Sequence, residues 1–276
     1  MSSTGTILVR PRSGFQPIDL PELWRYRELL WFLALRDIKV RYKQTLLGAA
    51  WAILQPFLTM VVFSIVFGRF AAIPSEGAPY PVFAYCGLLP WQLFAYALTQ
   101  SSASLVANQR LITKVYFPRL VVPLASLLCG LVDFAVALPV LLGMMLYYGI
   151  TPPSAAIAAV PLFIILALLT ALAAGLWLSA MNAVYRDVQY AVPFLTQFWL
   201  FITPVAYPAS LVPERFRWLF GLNPMAGVVE GFRWALLGKT RPDVALLALS
   251  SAAVIALLLG GLFYFRRMER EIADLV

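Results

Sequence analysis

The feature that most restricts this chain is a series of six apolar runs, near 49–70, 82–107, 121–148, 156–180, 190–207 and 243–265, joined by more polar links. A helix needs about 20 mainly apolar residues to cross a hydrocarbon core, and each run is close to that length. Composition agrees, because 62% of the 276 residues are hydrophobic and only 12% are charged. Soluble domains carry about a quarter charged residues and have too much wet surface to hide such an excess. The sequence therefore predicts an all-α integral membrane protein with six transmembrane helices, and excludes a soluble enzyme. It contains no histidine, which removes His-ligated metals and His-dependent triads. Cys86 and Cys129 lie inside apolar runs and read as packing residues. Residues 1–22 contain no apolar core of a cleavable signal.

The net charge of +8 is placed for membrane orientation rather than for nucleic acid. Fifteen of the 21 Lys and Arg residues fall before the first run, between runs two and three, between runs four and five, or after run six. The short links 71–81 and 149–155 carry none. Both termini are thus predicted to be cytoplasmic. The exception is 208–242, which carries Arg215, Arg217, Arg233, Lys239 and Arg241 yet is placed outside by six crossings.

Three segments are too short or too polar to span. In 20–35, Leu20, Leu23, Trp24, Trp31, Ala34 and Leu35 recur at helical spacing opposite Glu22, Arg25 and Glu28. This predicts an amphipathic helix in the interface, serving either as an anchor or as a shelf for a cytoplasmic partner. Asn108–Leu120 is basic and carries Val115, Tyr116 and Phe117 in a row, a pattern suited to protein docking. In 208–240, Asn223 suits an N-cap, Pro224 the first helical turn and Gly238 a C-terminal stop. The helix so bounded, 224–237, is about 21 Å long. With a second short helix at 213–221, it predicts a pair dipping into the outer leaflet, where Glu230 and Arg233 can pair three residues apart.

Within the apolar runs, Asp133 stands near the middle of the third, where a carboxylate is either functional or a helix contact. Thr99, Gln100, Ser101, Ser102 and Ser104 suit close helix packing or a polar path. Trp91, Phe94 and Tyr96 are aromatic surfaces for sugar rings or for the membrane interface. Arg36, Lys39, Arg41 and Lys43 are placed by charge to hold a phosphate at the cytoplasmic face, and equally satisfy the positive-inside rule. Gly238-Lys239-Thr240 imitates the end of a phosphate-binding loop, but Arg233 stands where that loop needs its first glycine.

Four runs together resemble the ABC-2 type permeases, and in particular their polysaccharide-export branch of O-antigen and teichoic-acid permeases. They are LRDIKVRYKQTLLGAAWAILQP (35–56), GLLPWQLFA (87–95), LITKVYFPRLVVPL (111–124) and LNPMAGVVEGFRWALLG (222–238). The resemblance covers roughly 25–270. It implies a half-transporter that forms a homodimer in the bacterial cytoplasmic (inner) membrane, with no cofactor and no catalysis of its own. Two copies of a separate P-loop ATPase subunit would hold ATP and Mg, and the cargo would be an undecaprenyl-type lipid-linked glycan. Residues 1–36 would be a tail with the interface helix, 37–270 the transmembrane domain and 271–276 a cytoplasmic tail. By the same resemblance Arg110, Lys114, Tyr116 and Phe117 would form the coupling helix, and Arg36, Lys39, Arg41 and Lys43 the lipid-pyrophosphate entrance. Trp91, Phe94 and Tyr96 would be candidates for the glycan path, and Asn223, Glu230 and Arg233 would belong to external gate helices. The alternatives are a proton-coupled secondary transporter using Asp133, and an ABC-2 exporter of a small lipid or drug.

Overall fold

The computed structural model describes residues 20–43, 48, 50–239 and 241–275. The tail before residue 20 with Arg10 and Arg12, residues 44–47, Ala49 at the start of the first predicted span, Thr240 and Val276 lie outside the described residues. The described chain is helical, and no strand occurs among these residues. In order the helices are α1 (Leu20–Arg25), α2 (Arg27–Lys43), α3 (Ala50–Phe63), α4 (Tyr80–Ala107), α5 (Gln109–Ile112), α6 (Val121–Tyr147), α7 (Ser154–Ile157), α8 (Val160–Val184), α9 (Val188–Ile202), α10 (Arg217–Gly221), α11 (Pro224–Leu237) and α12 (Val244–Leu275). α3 continues as a π-helix over Ser64–Phe70, where Ala71 N–H reaches back five residues to the carbonyl of Val66. In lipid every backbone group must be satisfied within the protein, which is why these apolar runs form helices.

Five helices are long and apolar enough to cross a membrane: Ala50–Phe70, Tyr80–Ala107, Val121–Tyr147, Ser154–Val184 and Val244–Met268. The sixth predicted run, 190–207, differs. It forms α9, whose 15 residues extend about 22 Å at 1.5 Å each, short of a core about 30 Å thick. Beyond Ile202 the chain continues without helix. Trp199 packs edge-on to Phe94, 4.9 Å away, midway along α4. Further on, the Tyr80 hydroxyl donates to the Ala206 carbonyl (2.6 Å) at the start of α4. The sixth run therefore climbs the length of the bundle as a short helix plus an irregular strip. Pro204 and Tyr207 interrupt the apolar pattern, but run length alone does not reveal the break.

α4 is the axis of the bundle. Its apolar window is 78% buried, against 33% or less in the other four long helices. It packs between α6 and α8, with α3, α9 and α11 around it. Small residues allow the closest approaches. A Cβ at Gly175 would lie 2.4 Å from Ser101 Oγ, so Ser101 packs closely against α8. A Cβ at Gly231 would lie 2.0 Å from the Phe163 ring. Gly231→Val should therefore overpack the α11–α8 contact and cost about 1–3 kcal/mol. The check is a lower thermal midpoint of the purified protein, partly restored in the Gly231→Val/Phe163→Leu double variant.

The predicted outer pair is half regular. Residues 213–221 are a 3₁₀ turn, Glu214–Phe216, followed by the five-residue α10. α11 has the bounds its capping residues predict: the Asn223 side chain accepts from Met225 N–H, and Gly238 closes the helix at φ 64°. α11 is wedged among the first turns of three spans, against Phe83 of α4, Phe163 of α8 and Ser250 of α12. The segment 20–35 is helical with a one-residue turn at Tyr26, through which the i→i−4 backbone bonds continue. Its buried face is Leu33 and Ala34, while Trp24 and Trp31 point outward. They can still meet the membrane interface from that side.

Candidate functional site

At the end of the bundle near α11, Arg233 is buried (5% exposed). Its Nη1 donates to the carbonyls of Pro204 (2.5 Å) and Tyr207 (3.4 Å). Its Nη2 donates to Val205 and its Nε to Phe83 (3.3 Å). The guanidinium lies 3.6 Å over the Phe83 ring, and Nη1 is 3.6 Å from Glu230 Oε1. The predicted Glu230–Arg233 pair thus forms, but its larger task is to satisfy the carbonyls of the irregular strip. Gly87 makes the room, since a Cβ there would stand 2.5 Å from Nη2. This also removes part of the charge anomaly in 208–242: Arg233 is an internal fastener, not a surface charge.

Glu230 accepts from Ala209 N–H (3.3 Å), and Ser210 donates to Glu76 of the α3–α4 link (3.3 Å). Asn223 adds a second tie. Besides capping α11, its Oδ1 accepts from Trp199 Nε1 (2.9 Å) and its Nδ2 donates to Thr203 (3.0 Å). The Tyr207 hydroxyl donates to the carbonyls of Phe201 (3.1 Å) and Ile202 (3.2 Å) at the end of α9.

At the other end, α2 lies along the first half of α6. A small core separate from the main one joins Leu33 and Ala34 to Phe117, Val121, Val122 and Ala125. Arg36 donates to Asn108 at the end of α4 (2.8 Å) and pairs with Asp37 (2.7 Å). Arg41 Nη2 is 2.6 Å from Asp133 Oδ2, and the Tyr42 hydroxyl donates to Asp133 Oδ1. Burial, then that hydrogen bond, pushes the Tyr42 phenol well up. Arg41 lies 4.2 Å over the Tyr96 ring, and Tyr96 donates to Cys129 Sγ (3.2 Å).

The structure divides the sequence-predicted residues. Arg110, Lys114 and Tyr116 are exposed on and after α5, but Phe117 is buried against α2 and anchors the segment rather than offering itself to a partner. Lys39 and Lys43 are exposed, whereas Arg36 and Arg41 are engaged with side chains of this chain. Trp91 and Phe94 are core residues, 4% and 0% exposed, and line no open path in this chain. Tyr96 is half-buried beneath Arg41. Among the exposed aromatics that sequence reasoning missed, four lie on α9: Tyr190, Phe194, Phe198 and Phe201. Their spacing of four, four and three is a helical stripe, and it is visible in the sequence once the helix limits are known.

A bundle of five long apolar helices tied by buried polar fasteners defines a multi-pass membrane protein. Residues 28–237 match the ABC-2 type transporter family, and the chain belongs to that family. It is 30% identical to an O-antigen export system permease protein RfbA from Myxococcus xanthus, covering 92% of this chain and 97% of that protein. It is 28% identical to an RfbA from Klebsiella pneumoniae, over 90% of this chain and 95% of the relative. It is also 28% identical to a polysialic acid transport protein KpsM from Escherichia coli, over 86% and 92%.

Proposed function

We propose that this chain is the permease subunit of an ATP-driven exporter that moves lipid-linked polysaccharide, such as O-antigen, across the cytoplasmic membrane. The observation that carries the reading is the near full-length similarity to export permeases of O-antigen and polysialic acid. ATP with Mg would be bound and hydrolysed by two copies of a separate P-loop subunit. They would dock from the cytoplasm on Arg110, Lys114 and Tyr116, which stand exposed on a segment clamped from behind by Phe117. Both termini would be cytoplasmic, as the distribution of Lys and Arg favours.

Two copies would form the channel. The support is α9, which is too short to span alone and presents the stripe Tyr190, Phe194, Phe198 and Phe201 outward. A short helix prolonged by irregular backbone is tolerated at membrane depth where protein covers it, and a second copy would complete that cover. Aromatic faces from both copies would then offer a sliding surface to sugar rings. Asn223, Glu230 and Arg233 would hold the outer lip, and Lys39, Arg41 and Lys43 would receive the lipid pyrophosphate at the inner one. A proton relay through Asp133 is disfavoured by its ion pair with Arg41, a partner that stays charged.

The test is reconstitution of the permease with a candidate P-loop ATPase subunit. Lipid-linked glycan should stimulate ATP turnover, and glycan should appear on the far side of the vesicle only with ATP. Stimulation by small amphiphiles but not by lipid-linked glycan would reassign the cargo. Transport driven by a proton gradient without ATP would overturn the reading.

A further inference from the structure

We infer that Asp133 is an internal stand-in for phosphate: it occupies Arg41 in the resting protein, and the pyrophosphate headgroup of an arriving lipid displaces it. The inference rests on the proposed export of a lipid pyrophosphate, and adds how the receiving site is kept ready and then switched.

The geometry is that of an exchangeable pair. Asp133 stands nearly halfway along α6, about 18 Å from its first residue, and a carboxylate so enclosed, with 16% of its side chain exposed, is expensive without a partner. Both of its oxygens are engaged from α2, Oδ2 by Arg41 at 2.6 Å and Oδ1 by the Tyr42 hydroxyl. A guanidinium presents the same planar fork to carboxylate and to phosphate. Arg41 is not wholly enclosed, with 33% of its side chain exposed against 16% for Asp133, so an anion can reach it from the open side. Lys39 and Lys43 are exposed, but two residues from Arg41 they project from another side of α2, so the fork of Arg41 is the receiving group. Arg36 and Asp37 close by neutralise each other.

Tyr96 makes exchange different from collapse. The Arg41 guanidinium lies over its ring at 4.2 Å, and the Tyr96 hydroxyl is held by Cys129. Arg41 therefore keeps a seat when the carboxylate is withdrawn. A headgroup of higher charge outcompetes one carboxylate for the fork. Displacement also unties α2 from the middle of α6, the helix that follows the exposed basic segment at 110–116. Headgroup arrival and the freedom of the docking end are thereby linked through one ion pair.

The inference predicts a sign that a structural strut does not. Asp133→Asn keeps the shape and can still accept from Tyr42, but removes the competing charge. The full-length permease in neutral phosphatidylcholine nanodiscs would be titrated with a polyprenyl pyrophosphate, with the uncharged polyprenol and with inorganic pyrophosphate, followed by tryptophan fluorescence. Asp133→Asn should tighten binding of the polyprenyl pyrophosphate by about tenfold, the scale of one charge-assisted hydrogen bond, and leave the polyprenol unchanged. Weaker or unaltered binding overturns the inference. Arg41→Lys and Asp133→Glu test it without changing net charge. Only Arg41→Lys, which loses the fork, should weaken pyrophosphate binding, and equal effects from both overturn the assignment. Inorganic pyrophosphate binding as tightly as the lipid form would make the ligand a free anion and overturn the lipid assignment. A wild-type protein that does not prefer polyprenyl pyrophosphate to polyprenol would instead overturn the export reading itself.

Discussion

Replacing Arg233 with Leu should remove most of the folded permease from the membrane, the largest loss expected from any single substitution in this chain. The side chain donates to four carbonyls, of Phe83, Pro204, Val205 and Tyr207, and pairs with Glu230. Leucine has similar bulk and would fit the apolar surroundings, so the effect would report lost polar satisfaction rather than a cavity. Breaking a buried ion pair from one side costs about 3–5 kcal/mol, and each buried carbonyl left without a donor adds about 1–3 kcal/mol. Arg233→Lys should be nearly as harmful, because a point charge with three donors cannot reach the same fan of carbonyls. Quantifying the full-length protein in washed membranes, and its thermal midpoint in detergent, checks this. Near-normal levels of Arg233→Leu would mean that the strip 203–207 finds its donors elsewhere.

The second large effect is expected at the opposite end. Reversing both charges, Arg110→Glu with Lys114→Glu, should abolish co-purification of the ATPase while leaving insertion intact. These side chains are exposed, and neither holds the bundle together. Reversal changes the local charge by four units, and like-charge juxtaposition at an interface costs several kcal/mol. Phe117→Ala should also weaken docking, by a different route: it removes a buried ring from the small core with Leu33, Ala34 and Val121. Truncation of a buried phenylalanine costs about 3–5 kcal/mol, so this variant should show protease sensitivity around α2 as well as weaker ATPase capture. Retained capture and ATP turnover in the charge-reversal variant would exclude the basic segment as the docking site.

What the sequence made legible was local or one-dimensional. The five long spans follow from run length. The bounds of α11 follow from Asn223, Pro224 and Gly238, because caps act within a few residues. The Glu230–Arg233 pair follows from helical spacing. What was hidden depends on which side of a helix faces protein. In helices apolar all round, period 3.6 carries little of that signal, so Trp91 and Phe94 gave no sign of being core. The Arg41–Asp133 pair joins α2 to α6 across a long stretch of sequence, a distance no local pattern spans. That Leu33 and Ala34 face Val121 and Ala125 of α6, while Trp31 faces away, is likewise a matter of which side meets protein. The division of the sixth run into helix and irregular strip is hidden too, because apolarity continues past Ile202 although the helix does not.

The fastening by Arg233 also sets what can assemble separately. The carbonyls of Pro204 and Val205 precede their donor by 29 and 28 residues. Bare carbonyls in hydrocarbon are costly, so the strip can settle at membrane depth only together with α11. Residues 203–237 should therefore enter the bilayer as one unit, and a chain truncated before residue 233 should leave the strip without its donors and fail to insert stably.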